Sequence, residues 1–168
     1  MTLSELKVLY PTATEETWHQ HSNGGGWVQN TATVADTAWV GPDAQVSGTA
    51  RVSGKAQVSG AARVLDAAQV SGYAQVSGYA RVSGTAQVSG TASVSGSTWV
   101  FGNAVVSGTA SVSGTAWVSG KAQVSGYAVV RGNAWVSGNA QVSGAARVSG
   151  DARVSDYALV SGVDVVSE

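Results

Sequence analysis

The chain contains no cysteine, two histidines, two prolines, one methionine and one phenylalanine in 168 residues. The absence of cysteine excludes disulfides and thiol chemistry, and leaves cellular compartment open. Both histidines, His19 and His21, lie near the start, so from Trp27 to Glu168 there is neither a histidine nor a cysteine. That removes the side chains best suited to general-base catalysis at neutral pH. No apolar run approaches the ~20 residues of a membrane-spanning helix. The opening Met1-Thr2-Leu3-Ser4-Glu5 lacks the basic-then-apolar pattern of a signal peptide. These features point to a soluble, cytoplasmic chain without a membrane partner.

What the chain does have is a period. Beginning at Val28, a valine recurs at every sixth residue, 24 times without interruption, to Val166. Two residues before each valine stands a small residue, alanine in all cases but Gly26, Thr98 and Asp164. Alanine and valine two apart point to the same side of an extended chain, and the residue between them points away. Helical spacing would be three and four, and a glycine in every six residues would weaken a helix throughout. Each unit, as in Ala50-Arg51-Val52-Ser53-Gly54-Lys55, therefore reads as a short strand followed by a corner. Glycine supplies positive φ at the corner. Its replacements Asn30, Asp36, Asp66 and Asp156 are the types that best tolerate that conformation. Pro42, flanked by Gly41 and Asp43, implies a different turn.

The pattern Val-Ser-Gly-x-Ala-x, with Val40-Gly41-Pro42-Asp43-Ala44 as a variant, resembles the hexapeptide repeat of left-handed parallel β-helix proteins. The resemblance covers residues 26–167 and implies an all-β, single-domain, left-handed parallel β-helix, a triangular solenoid of about eight 18-residue coils. The stretch from Gly24-Gly25-Gly26-Trp27-Val28 to Val46-Ser47-Gly48 is similar to bacterial and prophage-encoded members of an acyltransferase-like group. Such enzymes use a histidine base and often a loop that interrupts the coils, and neither stands in the repeats here. The carbonic-anhydrase branch needs three histidine ligands. The enzyme alternative thus rests on His19 and His21 alone, and the expectation is no catalytic residue, no metal and no cofactor. The corner serines have no visible base and read as turn residues.

Residues 1–25 do not repeat and read as a segment capping the solenoid of residues 26–168. Thr12-Ala13-Thr14-Glu15 has the form of a capping box, which predicts a short helix over 13–20. Thr98 interrupts the inward alanines and needs a partner for its hydroxyl if buried. Side-chain charge is uneven: −4 over residues 1–43, +6 over 44–150 and −3 over 151–168.

Positions 18 apart should stack into columns up each face. Gln recurs in all three columns, a spacing suited to amide ladders. One column is aromatic: Trp27, Gln45, Arg63, Arg81, Trp99, Trp117, Trp135, Arg153, with Phe101 at its border. The candidate binding or interface residues are Arg63, Arg81, Trp99, Phe101, Trp117, Trp135 and Arg153. An exposed apolar patch with a polar rim marks an interaction site, and aromatics and Arg are enriched at interface cores. Three uses follow: self-association, with a homotrimer implied by the resemblance; a platform for an anionic small molecule or glycan; or a ladder that only stiffens the sheet. Nucleic acid is disfavoured by the modest basic excess.

Overall fold

A computed structural model describes residues 1–167. They form one helix, α1 (Leu3–Leu9), and 25 short strands numbered in chain order from β1 (Trp18–Gln20) to β25 (Val165–Ser167). From β2 (Trp27–Gln29) onward, each strand pairs in parallel with the strand three later, 18 residues on: Trp27 lies beside Gln45, Gln45 beside Arg63, and so on to Trp135 beside Arg153. Three sheets result, each stacking strands 18 residues apart: one from β1 and β2 up to Arg153–Val154, one from Thr33–Val34 to Leu159–Val160 and one from Trp39–Val40 to β25. The molecule is an all-β parallel solenoid of about eight turns, in a single domain.

The core is what the period requires. The valines of the six-residue series from Val40 to Val148 are at most 1 % exposed, with the alanines two residues before them equally buried. The corners follow from backbone geometry. Gly108 has φ of +68°, and a Cβ there would sit 3.0 Å from the backbone nitrogen of Gly126 in the next coil. Two constraints, handedness and close coil-to-coil approach, therefore select glycine together. Asp66 and Asp156 take the same positive φ, both 59°. Asp66 also accepts a hydrogen bond from Gly84 N at 2.9 Å. Asn30 and Asp36 do not adopt it. In the first coil the corners close as turns in which Ala32 N bonds to Gln29 O and Ala38 N to Ala35 O. Asn30 is held by the N-terminal segment instead, its backbone N–H donating to Thr17 O and its side-chain amide to Glu16 O.

The helix lies at 3–9, not over 13–20. Its capping box is Thr2 with Glu5: the Thr2 hydroxyl accepts from Glu5 N, and the Glu5 carboxylate accepts from Thr2 N at 2.7 Å. Residues 13–20 form a turn and then β1, which pairs antiparallel with β2 and extends the first sheet by one strand. Among the described residues no hydrogen bond closes the Thr12–Glu15 box; Thr14 and Thr17 bond to each other instead. Leu6, Ala13, Trp18 and Trp27 make a second, small core packed by Met1, Leu3 and Tyr10.

Candidate functional site

The first sheet carries the Trp/Arg column along its outer face. In the strands β11 (Arg81–Val82), β14 (Trp99–Val100), β17 (Trp117–Val118), β20 (Trp135–Val136) and β23 (Arg153–Val154), valine is buried and the residue before it faces out. The 18-residue register sets these outward residues one above another. Trp99 and Trp117 stack with centroids 5.0 Å apart at 3°, and Trp117 and Trp135 at 4.9 Å and 3°. Arg81 caps one end, 5.0 Å from the Trp99 centroid, and Arg153 the other, 5.2 Å from Trp135. Phe101 lies edge-on to Trp99 and Trp117 at 6.5 and 6.0 Å. The structure therefore joins six of the seven candidate residues in one ladder. The seventh, Arg63, stands one coil below Arg81 in the same column.

This geometry decides what the ladder presents. The indole planes cover one another and the guanidinium groups cover the outermost planes. What faces outward is a strip of ring edges, with Trp99 38 % and Trp135 42 % exposed. A base or sugar ring cannot slide between planes already 5 Å apart. Among the described residues no carboxylate pairs with Arg63, Arg81 or Arg153, since the one ion pair joins the Met1 ammonium and Asp43 at 2.7 Å. The strip is thus aromatic, cationic at both ends and uncompensated. Each stacked pair adds about 1 kcal/mol to its burial term, and each exposed cation–π contact about 0.5–1 kcal/mol.

The lower part of the column is not exposed. Trp27 is 7 % and Gln45 1 % accessible. Met1 lies over them, its carbonyl accepting from Trp27 Nε1 at 3.0 Å and its sulfur approaching the Gln45 amide at 3.8 Å. Beside this cover is an open depression of about 380 Å³ lined by Met1, Glu5, Val8, Leu9 and Asp43. The helix beside this cover, though not the cover itself, has a sequence signal, since Thr2-Leu3-Ser4-Glu5 is a capping box.

The histidines have bonded partners in the cap. Asn30 donates its amide to Glu16 O at 2.8 Å, so its carbonyl oxygen accepts from His19 Nδ1 at 2.7 Å. His21 is buried, and its Nε2 donates to Ala38 O at 3.1 Å. Asn23 donates to the same carbonyl at 2.9 Å. The last two bonds satisfy the Ala38 carbonyl, which lies in the first coil with no coil below it. Among the described residues no group of three or more His, Cys, Asp or Glu side chains is placed to hold a metal ion. Among the described residues no helix is long and apolar enough to cross a membrane.

Two other expectations meet the side chains differently. Gln57 and Gln75, Gln69 and Gln87, and Gln123 and Gln141 stand in register. Their side chains are exposed, and among the described residues no amide–amide hydrogen bond joins them: a solvated amide bonds as well to water as to its neighbour. Thr98 is fully buried, and its hydroxyl has no partner.

Compared with known proteins, the chain is similar to a family model described as YdcK Beta solenoid repeat, over residues 44–60 and 146–162. Both stretches span repeat units of the coils and agree with the solenoid architecture. They do not extend to the acyltransferase-like group. No curated protein and no solved structure matches the chain.

Proposed function

We propose that this chain is a non-catalytic scaffold that works through the Trp/Arg face of its first sheet, as a surface for association or for binding an anionic partner. The carrying observation is the unpaired Arg81–Trp99–Trp117–Trp135–Arg153 ladder, continuous over five coils and left partly exposed. Exposed aromatic strips rimmed by Arg are the composition of interface centres. The occupied ring planes favour partners that meet indole edges and guanidinium groups, such as protein surfaces or carboxylate- and sulfate-bearing molecules, over those that need stacking. The acyltransferase-like alternative gains no support from the site, because both histidines are committed to hydrogen bonds in the cap.

The test compares the wild type with Trp117→Ala, which opens a gap in the middle of the ladder. Light scattering gives the mass in solution, and tryptophan fluorescence follows titration with dextran sulfate. The wild type is expected to self-associate or to respond to the polyanion, and Trp117→Ala to lose at least tenfold in whichever is seen. A wild type that does neither, or a variant that retains both, sinks the proposal. Replacing His19 and His21 together should leave either readout unchanged; loss of an acyl-transfer activity in that variant would restore the enzyme reading.

A further inference from the structure

We infer that the occupant of the Trp/Arg face is a second copy of this chain, laid antiparallel, with the twofold axis passing close to Trp99. The inference rests on the preceding reading of the face as an interaction surface and names its partner.

Register decides how a second copy can lie on this face. Along the first sheet the outward positions are, in order, Trp27, Gln45, Arg63, Arg81, Trp99, Trp117, Trp135 and Arg153, one per coil. If two copies meet in parallel at equal height, every position meets itself. Arg63, Arg81 and Arg153 each then face their own copy, and among the described residues no carboxylate offsets any of them. Like charges opposed across an interface are costly. A threefold bundle with parallel prisms has the same defect three times over.

Turning the second copy end for end about Trp99 removes it. Arg81 then faces Trp117 of the second copy, Arg63 faces its Trp135, and Trp99 and Phe101 meet their own counterparts at the centre. Each cation meets the edge of an aromatic ladder rather than another cation, and the apolar residues gather at the middle, where interface energy concentrates. Arg153 of the second copy arrives at the level of Gln45, beside the depression lined by Met1, Glu5, Val8, Leu9 and Asp43. That depression offers two carboxylates and exposed apolar carbon, with Val8 80 % and Leu9 41 % accessible. Asp43 lends one oxygen to the Met1 ammonium and remains 64 % exposed.

The cap fixes this register. Met1, Leu3, Leu6 and Tyr10 pack over Trp18 and Trp27, so the N-terminal segment raises a shoulder at the bottom of the face. Two copies in full end-to-end overlap would be held apart by it. Centring on Trp99 instead leaves only the edge of each shoulder, Met1 over Gln45, opposite the last coil of the other prism, where the first sheet ends at Arg153. The ladder and the shoulder thus select the same offset.

The lack of cysteine makes the test clean. Ser119, Ser137 and Ser155 stand in one column bordering the face, one coil apart. Each is replaced singly by Cys in the full chain and spin-labelled, and the inter-copy distance is measured by pulsed dipolar spectroscopy. An antiparallel pair centred on Trp99 separates the labels axially by two, four and six coils, or about 10, 19 and 29 Å at ~4.8 Å per coil. The measured distance therefore rises steadily from Ser119 to Ser155. Equal distances at all three positions mean parallel packing and overturn the inference, as does an absent dipolar signal from a chain that light scattering shows to be monomeric. In the monomeric case, a dextran sulfate response that Trp117→Ala abolishes leaves the proposed function standing, whereas no response removes both. Circular dichroism of each labelled variant confirms that the solenoid is intact.

Discussion

At the scale of single residues, the solenoid tolerates almost no deviation inside and at its corners, and where it deviates the cost should be measurable. Thr98 occupies an alanine position with its hydroxyl buried and unpartnered. A polar group left without a hydrogen bond costs about 1–3 kcal/mol. Thr98→Val keeps the shape and removes that group, so it is expected to stabilise the fold by about 1 kcal/mol in urea titration. A loss of stability would mean that the hydroxyl has a partner. Gly108→Ala argues the reverse. Its φ of +68° and the 3.0 Å approach to Gly126 leave no room for a methyl group. A loss of more than about 1 kcal/mol is expected. Glu5 adds a pH signature. The Thr2 backbone N–H and then the Thr2 hydroxyl hold its carboxylate below the ordinary 4.5. A lowered folded-state pKa means that this contribution to α1 is present above 4.5 and is lost as pH falls through the folded value. Amide exchange over residues 3–9 should quicken there in the wild type, and Glu5→Gln should remove the pH dependence.

Elements differ in how they are specified, and this decides what could be read from the chain. Strands of two residues have little propensity of their own. They exist because each valine and alanine meets its like 18 residues away, so the period specifies the sheets, their register and the column of tryptophans. The cap is specified once, not 24 times. The helix forms at 3–9 rather than over 13–20 because two capping boxes compete, at Thr2 and Thr12, and only tertiary contact from Leu6 to Trp27 favours the first. The burial of Trp27 and Gln45 was illegible for the same reason: the column predicts that they point outward, and nothing periodic says that Met1 lies on them. The Trp/Arg residues were legible as a set, whereas the closing of their ring planes by mutual stacking, which changes the ligands that fit, needed side-chain geometry. Hydrogen bonding in the cap gives an element-scale prediction. His21→Ala leaves the Ala38 carbonyl with Asn23 as its remaining side-chain donor. Exchange should quicken at Val40 and in β1, while the coils beyond Gly48 keep wild-type protection, because a solenoid's stability is local to neighbouring repeats.

For the molecule as a whole, the six-residue unit builds the fold while the 18-residue coil builds the site, and deletions can separate the two. Removing Val105–Ala110 takes out one complete unit and joins Ala104 to Ser111, so alanine, valine and corner continue in phase. The coils should still form, one face shorter. Every later residue, however, moves to the next face. Trp117 and Trp135 leave the column of Trp99 and Arg81, and Phe101 loses its edge contact with Trp117. Removing Val105–Ala122 takes out a whole coil. It deletes Trp117 but returns Trp135 to the position above Trp99, restoring a two-ring ladder between Arg81 and Arg153. Both variants lose apolar burial roughly in proportion to length, so both should fold with slightly lower melting temperatures. Each keeps one stacked indole pair, Trp117 on Trp135 in the six-residue deletion and Trp99 on Trp135 in the 18-residue one, so the near-ultraviolet circular dichroism of coupled indoles should fall in both; they part in association, because only the longer deletion keeps its pair between Arg81 and Arg153. Association should follow the ladder rather than the number of residues removed. If the six-residue deletion associates as well as the wild type, the face is not what the molecule works through.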